Sequence, residues 1–317
     1  MAGTLLVDGA VLLVGILLLY VGAELLVAAA SALALSHGVK AATVGVTIVA
    51  FATTAPELFV SATGALTASD GIALGNIVGS NIANIGLVLG ASALVRPLEV
   101  DDKTLYQHGP FMFAAAVALV VLGMDGRIAA FDGVVLLALL AGFTVYLYRK
   151  SQESEVALPE DVEMDEGATT AGLREYVTLV GAIVLLLAGS RALILGGRGV
   201  LSAWGFGDLF IGLTVIAFGT SVPELATSLV SAIRGEAGFS IGNVVGSNIY
   251  NVLAVIGVVA VLVPISVSSA TVGYEFPVML GFTVVALASM AFGDRITRVE
   301  GAGLVAGYAG FVYFLLP

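Results

Sequence analysis

The sequence predicts an all-α polytopic membrane protein, ten transmembrane helices arranged as two inverted five-helix repeats, on three observations. Of its 317 residues 59% are hydrophobic and 11% charged, where an ordinary soluble domain carries about 25% charged residues, and apolar stretches of the roughly 20 residues needed to cross hydrocarbon recur from end to end. The chain is also a duplication. Thr47-Ile48-Val49-Ala50-Phe51-Ala52-Thr53-Thr54-Ala55-Pro56-Glu57-Leu58 is matched by Thr214-Val215-Ile216-Ala217-Phe218-Gly219-Thr220-Ser221-Val222-Pro223-Glu224-Leu225 at an offset of 167. The register holds without a gap as Gly75-Asn76-Ile77-Val78-Gly79-Ser80-Asn81-Ile82-Ala83-Asn84 meets Gly242-Asn243-Val244-Val245-Gly246-Ser247-Asn248-Ile249-Tyr250-Asn251, and 19 of the 40 positions from Gly45 to Asn84 are identical in the second copy. Finally, the basic residues concentrate on one side of the membrane when each repeat has an odd number of spans and the second enters upside down.

Hydropathy places the spans at roughly 9–35, 40–66, 71–95, 108–123 and 128–148, then 175–197, 207–233, 239–263, 271–292 and 299–316. The first begins at an apolar run near Val11 with no basic stretch before it, so it reads as a transmembrane helix and not a cleaved signal peptide. The second and third carry the first copy of the duplicated motif, within 43–96, and the fourth and fifth complete a repeat at residues 1–148. Residues 149–174 form a linker in which seven of the chain's 23 acidic residues fall between Glu153 and Glu166. Such runs are solvated loops; a regulatory calcium-binding segment is the sharper, less economical reading. The remaining spans repeat the design in 175–317, with the second motif within 210–264.

Placing the N-terminus outside puts Lys40, Arg96, Lys103, Arg149, Lys150, Arg174, Arg234, Arg295 and Arg298 in the cytoplasm and leaves Arg127, Arg198 and Arg191 elsewhere, in line with the positive-inside rule. Both termini and the 66–71 turn then face out, and the acidic linker and the 233–239 turn face in. The duplicated hairpins enter from opposite sides and meet at mid-membrane, an architecture suited to alternating access. Several residues have plain readings. Glu24 and Arg191 occupy equivalent positions and suit a structural ion pair; Trp204 and the tyrosines near span ends suit interfacial anchoring; His37 and His108 lie near loops without the carboxylate partner that a proton relay would use.

An intramembrane carboxylate costs at least about 2.5 kcal/mol, and here Glu57 and Glu224 recur at matching depth. The spans that carry the motifs hold no Lys or Arg away from their ends, so a bound cation is the economical counter-charge. Each Glu follows a proline, which lacks an N–H and kinks its helix, freeing carbonyls near Ala52 and Gly219, with neighbours such as Ala50 and Ala217, to turn inward. Ala50, Thr53 and Glu57 share a helical face, as do Ala217, Thr220 and Glu224, with the hydroxyls of Thr54 and Ser221 beside them. Asn76, Ser80 and Asn84 step by four, as do Asn243, Ser247 and Asn251, while Gly75, Gly79, Gly242 and Gly246 are explained by close helix packing. The donors are all oxygens, with no thiol because there is no cysteine. That inventory suits Ca²⁺, which takes six to eight oxygens, better than Zn²⁺ or Cu⁺; the two acids can equally be screened by Na⁺ or titrated by protons.

These doubled segments, FATTAPEL with GNIVGSNIAN and FGTSVPEL with GNVVGSNIYN, resemble the alpha-repeats of the cation/calcium exchanger superfamily, particularly the prokaryotic sodium/calcium exchangers. The resemblance implies that Glu57 and Glu224 coordinate Ca²⁺ and Na⁺, with Thr53, Thr54, Thr220 and Ser221 as hydroxyl or carbonyl ligands. It further implies backbone ligation by Ala50 and Ala217, outer Na⁺ ligation by Ser80 and Ser247, and central polar roles for Asn84 and Asn251. The first and sixth spans would slide against the other eight. Some members carry Asp where this chain has Asn251, so the site here has two carboxylates in place of three. Leu58 and Leu225 stand where proton/calcium exchangers typically have His. The expected function is therefore Na⁺/Ca²⁺ antiport across the cell membrane, with H⁺/Ca²⁺ or other cation/proton antiport as the alternative. A monomer is expected, with Ca²⁺, Na⁺ and the bilayer as partners, no cofactor and no nucleic acid. No nucleophile–base pair, hydrolase metal set or phosphate loop points to an enzyme.

Overall fold

The computed structural model describes residues 2–36, 41–67, 70–102, 104–153, 172–204 and 217–315. Twelve helical segments account for most of them: α1 (Ala2–Ser36), α2 (41–53), α3 (Ala55–Thr67), α4 (70–95), α5 (Thr104–Gly123), α6 (Ala130–Glu153), α7 (Leu173–Ala203), α8 (Ala217–Thr220), α9 (Val222–Arg234), α10 (Ala237–Leu262), α11 (Thr271–Ala291) and α12 (Arg298–Leu315). Among the described residues, seven helices are long and apolar enough to cross a bilayer, or eight when α2 and α3 count as one bent span.

Pro56 explains that bend. Its ring nitrogen cannot bond back to the carbonyl of Ala52, and its ring crowds the preceding turn, so the chain turns by 44° between 45–53 and 55–66. Thr54, at φ −74° and ψ −5°, occupies the joint and keeps its N–H on the Ala50 carbonyl at 3.0 Å. Ser221 is the corresponding joint between α8 and α9, at φ −85° and ψ 3°, with Pro223 in the first turn of α9. Each predicted span that carries a Pro-Glu pair is thus two helices in place of one; residues 205–216, where the second of these would begin, lie outside the described residues.

Packing divides the molecule into two apolar clusters. The larger centres on α4 and α10, whose membrane windows are 78% buried against neighbours on every side. Apart from the stripes of Asn and Ser that each carries, their residues are apolar on every face, as an enclosed helix requires. The smaller cluster is built on α1 and α7, which lie against each other along their length. Glycine permits that approach: a Cβ on Gly196 would stand 2.5 Å from the Leu12 nitrogen, and one on Gly15 2.6 Å from the Leu193 nitrogen.

Single wider turns of π-helix interrupt the helices at Gly45–Val49, Asn84–Leu89, Thr104–His108, Asn251–Ile256 and Thr271–Glu275. The second and fourth, and the third and fifth, are related by the same offset of 167 that relates the motifs. The expectation of an all-α chain needs one correction. Loop residues form two short antiparallel ladders, β1 (Leu98–Glu99) with β4 (Arg295–Ile296) and β2 (Arg127–Ile128) with β3 (Ile265–Ser266). Extended loop backbone between packed helices satisfies its N–H and C=O groups in this way.

Other expectations also shift. The helix predicted over 128–148 runs on to Glu153 and that over 175–197 spans Leu173–Ala203, because good helix formers continue past the apolar window; linker residues 154–171 lie outside the described residues. His108 is buried at the end of the π turn that opens α5, while His37 lies outside the described residues. Glu24 pairs with Arg234, at the end of α9, and not with Arg191, which is exposed. Trp204 caps α7 with 67% of its surface exposed, as an interfacial anchor would be.

Candidate cation site

The two prolines place the two acids. With α3 and α9 restarting just past each joint, Glu57 and Glu224 fall in their first turns, where the positive end of the helix dipole favours negative charge. Both are 0% exposed, and neither carboxylate oxygen meets hydrogen-bond geometry with any described residue. They lie close enough for the charge of Glu224 to act on Glu57. Hydroxyls cross between the halves: Thr220 stands beside Glu57, and Thr53 beside Glu224 together with Ser247 of its own half. Two like charges held together in a low-dielectric interior repel strongly, and an isolated buried carboxylate without partners is among the costliest groups a protein can hold.

Of the other residues expected at the site, all but Ala217 are seen to be buried. Ala50, Thr53, Thr54, Ser80, Asn84, Thr220, Ser221, Ser247 and Asn251 are each at most 4% exposed; of Ala217 only the helical backbone is described. The Ser80 and Ser221 hydroxyls, both amide atoms of Asn84 and Oδ1 of Asn251 have no hydrogen-bond partner among the described residues. The oxygens among these unpaired atoms, like the four of the carboxylates, are of the kind a cation would satisfy, since buried polar atoms are otherwise almost always paired. Two of the carbonyls near the kinks also accept hydroxyls. The Ala50 carbonyl accepts the Thr54 hydroxyl at 2.7 Å and the Thr53 hydroxyl at 3.3 Å, and the Gly219 carbonyl freed by Pro223 accepts the Ser190 hydroxyl of α7 at 2.5 Å.

Supporting bonds fix the frame. Asn243 donates through Nδ2 to Ser228 Oγ at 3.0 Å and to the Glu224 carbonyl at 3.2 Å, while its Oδ1 accepts from the Thr53 hydroxyl at 3.2 Å. It therefore ties α10 to α9 and reaches into the first half. Its counterpart Asn76 donates to Ser61 at 3.0 Å, tying α4 to α3. Gly246 brings α10 against α2, where an added Cβ would stand 2.5 Å from both the Ala50 Cβ and the Val46 carbonyl oxygen.

The model of the family described as "Sodium/calcium exchanger protein" matches the chain twice, over residues 8–149 and 175–316, two stretches offset by the same 167 residues. The chain belongs to the sodium/calcium exchanger family. This exchanger is 37% identical over 319 residues to the protein named CaxA of Alkalimonas amylolytica, covering 98% of this chain and 99% of that one. It is 28% identical to the sodium/calcium exchanger MaX1 of Methanosarcina acetivorans, covering 98% of each. Its fold matches the solved structure of the sodium-calcium exchanger NCX_Mj with a TM-score of 0.84, at 29% identity over 98% of this chain and 99% of that one. It is thus a multi-pass membrane protein of a cation antiporter family.

What sequence reasoning missed in this exchanger is the ring of residues behind the oxygens. Ser61, Ser228, Asn81 and Asn248 are buried and identical between the two copies, and that identity of polar residues was the available signal. Their roles are invisible in the stripe that steps by four, because Asn81 lies one residue off it.

Proposed function

We propose that the exchanger carries Ca²⁺ in one direction and Na⁺ in the other by alternating access, both competing for one mid-membrane site between the repeats. The observation that carries this reading is the pair Glu57 and Glu224, contributed by different halves, fully buried beside each other and without a basic partner among the described residues. Two carboxylates balance one Ca²⁺ or two Na⁺, so occupancy by either neutralises the site before it crosses the barrier, and an empty, doubly charged site resists crossing. Glu57, Glu224 and the Thr53 and Thr220 hydroxyls would form the central donor set. Thr54, Ser80, Ser221 and Ser247 would lie toward the Na⁺ positions, with Asn84, Asn251 and the backbone carbonyls of Ala50 and Ala217 completing the oxygens. Such a set meets the six to eight ligands of Ca²⁺.

Two features support inverted repeats. The ladders exchange partners under the offset of the repeat, loop 98–99 meeting 295–296 just as 265–266 meets 127–128. Contacts also sort the loops to two ends: Ser31 bonds Glu236 and Arg298 bonds the carbonyls of Leu94 and Val95 at one, while Asp8 meets Gly199 at the other. The excess of basic residues makes the first end cytoplasmic. The separate packing of α1 with α7 supports these two as the element that slides. Na⁺ coupling is favoured over H⁺ coupling by Leu58 and Leu225 and by the likeness to MaX1 and NCX_Mj.

The test is ⁴⁵Ca²⁺ uptake by proteoliposomes loaded with Na⁺. Uptake is expected to require the outward Na⁺ gradient and to be unaffected by an imposed pH gradient; uptake driven by the pH gradient alone would replace Na⁺ with H⁺ as the coupling ion.

A further inference from the structure

Asparagine is an ambiguous cation ligand, because its oxygen and its nitrogen have nearly the same shape and only the oxygen attracts a cation. Something must decide which of them faces the ion. Asn251, buried at 0% exposure in the first position of a π turn, donates through Nδ2 to Oδ1 of Asn81 at 2.9 Å, and its own Oδ1 has no partner among the described residues. Asn81 is in turn held the right way round. Its Nδ2 points at the Asn248 carbonyl at 3.4 Å and the Met279 sulfur at 4.0 Å, two acceptors, which leaves only its oxygen for Asn251. The amide of Asn248 is used within its own helix, on the Val244 carbonyl at 2.9 Å. The duplicated counterpart of the bond between Asn251 and Asn81 would join Asn84 to Asn248; that bond is not made, and both amide atoms of Asn84 lack partners among the described residues. One asparagine of the related pair is oriented and the other is not.

We propose that Asn81 is a positioning residue that holds the Asn251 amide with Oδ1 toward the transported ion. The assignment rests on the proposed role of Asn251 as an ion ligand. It predicts a dependence that packing alone would not produce: once residue 251 is a carboxylate, either side-chain atom is an oxygen and the orienting bond loses its purpose. The test is a double-mutant cycle read by equilibrium ⁴⁵Ca²⁺ binding to the purified full chain, with thermal melting as the check on folding. Asn81→Leu should raise the Ca²⁺ Kd about tenfold in the otherwise unaltered chain and less than about twofold in the Asn251→Asp background. Asn81→Ala removes the same acceptor and carries the same expectation if leucine is not accommodated. An equal rise in both backgrounds, or none in either, would overturn the positioning role. An unchanged Kd for Asn251→Ala would remove Asn251 from the site, overturning the ligand assignment itself and the orienting role with it.

Discussion

At the scale of single residues, the chemistry comes down to charge without a protein partner. On the proposed reading a transient cation neutralises Glu57 and Glu224 in the interior, so removing the charge should cost function while sparing the fold. Glu57→Gln and Glu224→Gln are each expected to abolish Na⁺-driven ⁴⁵Ca²⁺ uptake. The same variants should melt no lower than the unaltered chain in ion-free buffer. A ligand at a hundred times its Kd stabilises by about 2.7 kcal/mol, so the unaltered chain should show a thermal shift of several degrees with Ca²⁺, which both glutamine variants should lose. These two positions were legible in the sequence because a carboxylate between apolar residues, twice at one spacing, is too costly to be kept for packing. Asn81 and Asn248 were not, since an asparagine next to a ligand stripe looks the same whether it faces the ion, a neighbouring amide or a helix carbonyl.

At the scale of elements, the kinks and close crossings set where the oxygens stand. Pro56→Ala restores an N–H that can bond to the Ala52 carbonyl and relieves the ring's clash, so the α2–α3 bend of 44° should relax. Transport is expected to fall at least about tenfold with no loss of stability, measured as uptake and melting temperature on the same preparation. Gly246→Ala drives a methyl into the backbone of α2 at 2.5 Å and should destabilise by about 1–3 kcal/mol, whereas Gly142→Ala, with no described atom within 4 Å, should be neutral or slightly stabilising. Hydropathy gave the helices and the proline gave the breaks. The π turns at Asn84–Leu89 and Asn251–Ile256 left no trace in it, because one extra residue per turn changes neither composition nor the apolar face of a helix buried on all sides. The short ladders were equally hidden: two residues of extended loop carry no periodicity.

At the scale of the whole molecule, duplication does what a single repeat could not, bringing two acids from separate halves to one point. A chain without cysteine makes the proposed orientation easy to probe. Asp125→Cys and Asp294→Cys, introduced singly in loops attached to opposite ladders, should be labelled by an impermeant maleimide from the outside and from the cytoplasm respectively. Labelling of both from one side would contradict inverted repeats. The most direct test of the shared site is the stoichiometry of equilibrium ⁴⁵Ca²⁺ binding to the purified protein and its two glutamine variants. One Ca²⁺ per chain, lost entirely in Glu57→Gln and again in Glu224→Gln, is the expected result; a full-affinity site surviving in either variant would mean that the halves bind separately and share no site.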